Sequence, residues 1–202
     1  MDEQTAFAEM AEMSTAIISD AMFRMGHKDR TMRARIKPID PSMRTAGQAV
    51  TVQCYPGGTY ACSLGVKAAE PGQVLVIDGG GYTEAVLWGE IFSRMAMVHG
   101  LAGTIIDGAV RDVSGVKELG YPLFAAAIHP GAGTGDKLGE VNITIQCGGV
   151  VVRPGDYVVG DELGVVVVRP EQLLEVHEWC HNVLEKEAKM IAELDAKLAA
   201  RE

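Results

Sequence analysis

The chain has 202 residues, 48% of them hydrophobic and 22% charged, which suits one globular domain with a sizeable core. A formal net charge of −9 excludes the basic footprint of a nucleic-acid binder, and no apolar run approaches the roughly 18 residues of a membrane span. An acidic chain that handles a small anion must therefore gather positive potential locally, from arginines and helix N-termini.

Residues 4–26 predict helix with a break near Ser14, an N-cap residue, and Gly26 closes the segment. Residues 27–46 are basic, contain two prolines and read as a connection over the surface. Ala49–Cys54 predicts a strand, Pro56-Gly57-Gly58 a turn, and 60–70 a short helix. Two matched units follow. Gln73–Asp78 is an apolar run that ends in Asp78-Gly79-Gly80-Gly81 and leads to a helix expected from Glu84 to His99. Gly103–Asp107 repeats the pattern and turns at Gly108. Apolar strand, Asp-Gly turn and helix together predict βαβ units around a buried parallel sheet. A further strand, Leu123–Ala127, completes this half. Beyond residue 130 the pattern turns to short strands, over Val141–Gln146, Val150–Val152, Tyr157–Val159 and Val165–Val168. From Glu171 to the end one long helix is predicted, longer than a small domain can cover. Residues 1–170 are thus read as the domain, and 171–202 as an arm for a neighbouring subunit.

Cys54, Cys62, Cys147 and Cys180 form no C-x-x-C pair, and the opening Asp2-Glu3 has no signal character. Reduced thiols and a cytoplasmic location are the expectation.

Two stretches carry candidate chemistry. In Asp107-Gly108-Ala109-Val110-Arg111-Asp112 an Arg-Asp pair follows a strand's carboxyl end, where open α/β sheets bind ligands. Arg111 offers a planar fork for a carboxylate, and Asp112 a hard oxygen for Mg²⁺ or Mn²⁺. Asp78-Gly79-Gly80-Gly81, running on to Trp88-Gly89-Glu90-Ile91-Phe92, lets backbone approach a ligand closely. It lacks the spacing of a dinucleotide fingerprint.

These blocks, with Ser19-Asp20-Ala21, Pro154-Gly155-Asp156 and Gly160-Asp161-Glu162-Leu163-Gly164, stand in an order that resembles the RraA-like family over nearly the whole chain. That family includes metal-dependent aldolases of 4-hydroxy-4-methyl-2-oxoglutarate and 4-carboxy-4-hydroxy-2-oxoadipate, which also decarboxylate oxaloacetate, and a regulator of ribonuclease activity. The resemblance implies a swivelling β/β/α-type α/β fold: a central mixed or parallel sheet flanked by helices, with a long C-terminal helix, assembled as a homotrimer or homohexamer. It implies a lyase acting on a small 2-oxo acid through a metal-stabilised pyruvate enolate, with no nucleic-acid or membrane partner. Asp112 becomes the metal ligand and, with Arg111, the catalytic pair; Arg111, Gly89, Glu90, Ile91 and Phe92 become the substrate-binding set. The alternative is a non-catalytic RraA-type regulator acting through protein contacts, which lacks an acid after the arginine. One departure stands out: where aldolase members carry another acid, three positions after the Asp, this chain has Gly115, with Glu118 as a substitute. The Lys186-Glu187 pair matches an acid that family aldolases borrow from a neighbour's C-terminal helix.

His177-Glu178-Trp179-Cys180-His181 fits the H-E-x-x-H spacing of zinc peptidases, but little chain follows it to supply a third ligand, so it is read as a coincidence. His27, His99 and His129 have no partner at ligand spacing, and Lys67 and Lys117 are the only lysines near enough to suggest an imine.

Overall fold

The computed structural model describes residues 1–201. Two short helices open the chain, α1 (Glu3–Glu12) and α2 (Thr15–Arg24). The break between them is made by Ser14, whose hydroxyl accepts from the Ala16 amide as an N-cap. Gly26, at φ +90°, then turns the backbone where a side chain would be strained.

The stretch 27–46 is not mere connection. It contains β1 (Lys37–Pro38) and the first residues of β2 (Thr45–Gln53). Next come α3 (Tyr60–Ala68), β3 (Val74–Asp78), β4 (Val86–Trp88), α4 (Glu90–Val98), β5 (Gly103–Val110), α5 (Val113–Leu119) and β6 (Leu123–Ile128). The segment read as helix from Glu84 is therefore first a strand. Val86, Leu87 and Trp88 are all buried, and β4 lies parallel to β5. A three-residue apolar run carries no period that separates a strand from a helix. Similarly, β5 does not stop at Asp107 but runs through Gly108 to Val110: every residue along it is buried, and Ala109 and Val110 pair with β4 on one side and β6 on the other.

The remaining strands are β7 (Glu140–Val141), β8 (Ile145–Cys147), β9 (Val150–Val152), β10 (Tyr157–Asp161) and β11 (Gly164–Val168). Val141–Gln146 is thus not one strand: Asn142, at φ +58°, breaks it into β7 and β8. A 3₁₀ turn, Pro170–Gln172, leads into α6 (Leu173–Ala199).

The main sheet runs β1-β6-β5-β3-β2-β10-β11, with β4 added beside β5 and β7 beside β2; β8 and β9 form a separate hairpin. Strands β2, β3, β5 and β6 are parallel, while β10 joins β2 antiparallel, so the sheet is mixed. Its far edges approach one another, β1 lying close to β10 and β11, and the sheet nearly closes on itself. The strands alternate between two apolar environments, which explains their unbroken hydrophobic runs. In β3, Leu75 and Ile77 face a core shared with α3, α4 and α5, while Val74 and Val76 face the β8–β9 hairpin. In β11, Val165 and Val167 join that second core, and Val166 and Val168 meet α1, α2 and α6 in a third. Five residues in the first three turns of α6, from Leu173 to Val183, are buried; beyond Val183 the helix is exposed.

Candidate active site

The carboxyl ends of β4 and β5 flank a cleft of about 210 Å³ lined by Trp88, Gly89, Ile91, Phe92, Arg111 and Asp112, with Thr59 and Gly133 across from them. The turn between β4 and α4 is fixed from within. The Trp88 indole donates to Ser93 Oγ at 3.0 Å, that hydroxyl donates to the Gly89 carbonyl, and Trp88 stacks on Phe92 with ring centroids 5.0 Å apart. The Arg111 amide donates to the Trp88 carbonyl at 3.0 Å, which ties the end of β5 to the same turn.

Gly89 caps α4 with no side-chain hydrogen bond, and the first intrahelical bond belongs to the Ser93 amide. The amides of Glu90, Ile91 and Phe92 consequently have no protein acceptor among the described residues. They form a ready anion cradle at the positive end of the helix. A Cβ at position 89 would stand 2.6 Å from Asp112 Oδ2 and 3.3 Å from Arg111 Cγ, so any larger residue there would push the Asp112 carboxylate aside.

Asp112 sits at the start of α5 in the left-handed region, φ +55°, a conformation that costs a non-glycine residue energy and that Asp tolerates better than most. Its carboxylate makes no capping bond to the helix it precedes. Among the described residues its one ion-pair partner is Arg111, Nε to Oδ2 at 3.5 Å, with both side chains nearly half exposed. A carboxylate so placed keeps its lone pairs free, and the residues present suit a hard divalent cation. A single protein oxygen leaves most of the coordination sphere to water or ligand, as Mg²⁺ commonly has it.

Five of the six residues singled out from sequence line the cleft together. Glu90 does not line it: its carboxylate turns away to accept from Arg94 Nε and Nη2, at 2.9 and 2.6 Å. That carboxylate also packs onto Gly115, where any Cβ would collide with it. Glu90 thus brings a carboxyl group to the helix turn in which position 115 has none. Glu118 lies on the exposed face of α5, and Glu187 on the exposed length of α6.

The Gly79-Gly80-Gly81 turn starts no helix. The Asp78 carboxylate accepts from the Gly80 amide, and the Gly81 amide donates to the Asp107 carbonyl. Asp107 itself is buried and structural: Arg35 donates to both its oxygens (2.6 and 2.8 Å) and the Gly148 amide to Oδ2 (2.9 Å). Sequence reasoning missed Arg35, whose only signal was the basic character of residues 27–46.

No lysine lines the cleft. Lys117 is engaged by Asp40 at 3.2 Å, and the hydroxyl and amide of Ser42, together with that lysine, hold the Asp40 carboxyl down to about 2. All four cysteines are free and buried; burial pushes the Cys180 thiol up to about 12, and none lies in the cleft as a nucleophile.

A helix N-terminus, a guanidinium and a carboxylate stand around one cleft at the carboxyl end of a largely parallel sheet, the place where open α/β proteins commonly bind ligands. Comparison with known proteins gives the family. A family model described as RraA-like, Aldolase/RraA, matches residues 15–167. An uncharacterized protein of Methanocaldococcus jannaschii is 40% identical over 158 residues, 77% of this chain and 76% of the relative. A protein of Halalkalibacterium halodurans named "Putative 4-hydroxy-4-methyl-2-oxoglutarate aldolase" is 36% identical over 183 residues, 91% of this chain and 82% of the relative. Among solved structures, the RNA-processing inhibitor RraA from Thermus superposes with a TM-score of 0.69 at 29% identity, over 78% of this chain and 93% of that one. An uncharacterized protein of Pseudomonas syringae pv. tomato superposes with a TM-score of 0.83 at 28% identity, over 96% and 93% of the two chains. The chain belongs to the RraA-like family and has its α/β fold.

Proposed function

We propose that this chain is a divalent-metal-dependent lyase, a class II pyruvate aldolase that cleaves a 4-hydroxy-2-oxo di- or tricarboxylic acid and also decarboxylates oxaloacetate. One observation carries the reading: the unpartnered amides of Ile91 and Phe92 at the start of α4, the Arg111 guanidinium and the Asp112 carboxylate meet in one cleft. The aldolase names among relatives support it at family level.

The α4 amides fit the carboxylate of a 2-oxo acid, and Arg111 fits a second oxygen of the same substrate through its planar fork. Cleavage breaks the C3–C4 bond. The electron pair moves onto the pyruvyl fragment as an enolate, the 4-hydroxyl passes its proton to water as the new carbonyl forms, and the enolate carbon then takes a proton from solvent to give pyruvate. Decarboxylation of oxaloacetate reaches the same enolate with CO₂ as the leaving group. Donors fixed around the developing oxyanion favour both reactions, because they need no reorganisation as charge appears. A divalent cation held by Asp112, Mg²⁺ or Mn²⁺, would supply Lewis acidity toward that oxygen. Among the described residues, Arg111 and Asp112 are the only titratable side chains lining the cleft. A further acid therefore has to come from outside it, and Glu187 on the exposed length of α6 is the residue a homotrimer or homohexamer would bring to a neighbour's cleft. The bulk composition suits a cytoplasmic protein, and no helix among the described residues is long and apolar enough to cross a membrane.

The likeness to the Thermus RNA-processing inhibitor favours a second reading, a non-catalytic regulator acting by protein contact. The assay that separates them is pyruvate release from 4-hydroxy-4-methyl-2-oxoglutarate and from oxaloacetate. Turnover is expected to vanish in EDTA, return with Mg²⁺ or Mn²⁺, and stay low in Asp112→Asn. Full activity in EDTA, or a borohydride-trapped lysine adduct, would overturn the lyase mechanism. No turnover of either acid under any metal leaves the regulator.

A further inference from the structure

The histidines of the H-E-x-x-H pattern lie one turn apart on α6, and the structure supplies what the sequence lacked: a third ligand group, from the opposite end of the chain. His177 Nε2 is 2.7 Å from Glu9 Oε2, His181 Nε2 is 3.4 Å from the same oxygen, and the two Nε2 atoms are 3.1 Å apart. Adjacent ligand atoms around a first-row metal with bonds of roughly 2.1 Å stand about 3.0 to 3.4 Å apart, so this triangle is nearly the face of a coordination polyhedron.

Protons alone serve the triangle poorly. A neutral imidazole presents at Nε2 either one N–H or one lone pair. If His177 donates to Glu9, a lone pair on His181 faces a carboxylate oxygen. If both histidines donate to Glu9, two N–H groups confront each other across 3.1 Å. Each arrangement leaves a repulsive contact, whereas one cation between the three atoms satisfies all their lone pairs.

We propose that Glu9, His177 and His181 form a transition-metal site of the zinc class that staples α1 to α6. Two imidazoles and one carboxylate suit Zn²⁺, Co²⁺ or Ni²⁺ rather than the hard cation expected at Asp112. His177 is almost wholly buried while Glu9 and His181 are about half exposed, so a water completes the sphere from the solvent side. The site is structural rather than peptidolytic. Its residues lie on α1 and α6, neither of which contributes to the cleft of Arg111 and Asp112, and Glu178 is exposed. It joins helices at opposite ends of the chain, which bury Met10 and Val176 in one core.

The test uses the full-length, tag-free protein, stripped with a chelator and titrated with Co²⁺ and then Zn²⁺. Expected are one equivalent of Co²⁺ per chain with the intense visible absorption of four- or five-coordination, its displacement by Zn²⁺, and a melting temperature raised by roughly 5 to 10 °C at a hundredfold excess over Kd. His181→Ala, at an exposed position that folding does not need, and Glu9→Gln are expected to weaken Co²⁺ binding about 100-fold. Asp112→Asn is expected to keep this equivalent, which separates the site from the proposed active centre. Weak six-coordinate absorption only, or an equivalent retained at full affinity by His181→Ala, overturns the proposal.

Discussion

Asp112 holds a backbone conformation that favours glycine, makes no capping bond and points its carboxylate at Gly89. Strain of this kind persists where neighbouring structure enforces it, here the Trp88 carbonyl gripping the Arg111 amide one residue before. Two substitutions probe the arrangement. Arg111→Lys keeps the charge and loses the planar fork, so kcat/KM is expected to fall by roughly 100-fold, with a circular-dichroism spectrum like the wild type's. Gly89→Ala adds one methyl group 2.6 Å from Asp112 Oδ2; with φ at −167° the backbone accepts alanine, so the melting temperature is expected to change little while turnover drops tenfold or more. Equal losses of stability and activity would instead mark Gly89 as a packing residue. At this scale the sequence was informative about Arg111 and Asp112, because an Arg-Asp pair after an apolar strand has a definite address in an α/β sheet. It was silent on Arg35 with Asp107 and on Glu9 with the two histidines. Those contacts join distant segments: the H-E-x-x-H spacing displays the two histidines but gives no sign of Glu9, and Arg35 leaves no local spacing to read.

Elements of the fold are held by buried polar clips as well as by apolar packing. The clearest joins α2 to the β10–β11 turn: the Asp161 carboxylate accepts from the Thr15 amide and hydroxyl, at 2.8 and 2.6 Å, and from the Leu163 amide at 2.9 Å. Burial pushes this carboxyl up, but the Thr15 and Leu163 donors and Arg44 more than offset it, leaving the group below its ordinary value. A depressed folded-state pKa stabilises the fold at pH above about 4, and that stabilisation fades as pH falls further, through the depressed value. Asp161→Asn is therefore expected to cost about 1–3 kcal/mol near neutrality, and to flatten the acid limb of the stability-against-pH curve measured by urea unfolding. An unchanged acid limb would assign the pH dependence to other carboxylates. Most elements were visible as periodicity: the Ser14 break, the matched strand–turn–helix units and the long final helix all appear. β4 was hidden because its three apolar residues run straight into an amphipathic helix, and the true end of β5 was hidden by Gly108, a turn residue that here sits inside a buried strand.

At the scale of the whole molecule, the distal part of α6 is the feature a single chain leaves incomplete. Leu184, Ile191 and Leu198 recur every seven residues with Leu194 between them, and they are 38 to 61% exposed. That is the spacing of a helix seam. A homotrimer or larger assembly is expected in light scattering, at a multiple of 21.5 kDa. Removing residues 185–202, which leaves buried Val183 in place, is expected to release monomers that retain the sheet. A wild-type monomer, or a truncated chain that still assembles, would deny the helix this role.

If the seam finds its cover on another copy, the order of these last turns obeys mass action. Isolated helices of this length are marginal in water, so the free energy that keeps residues 184–199 wound becomes a share of the association free energy. Helicity and melting temperature then rise with protein concentration. Dilution unwinds the terminal turns before it disturbs the sheet.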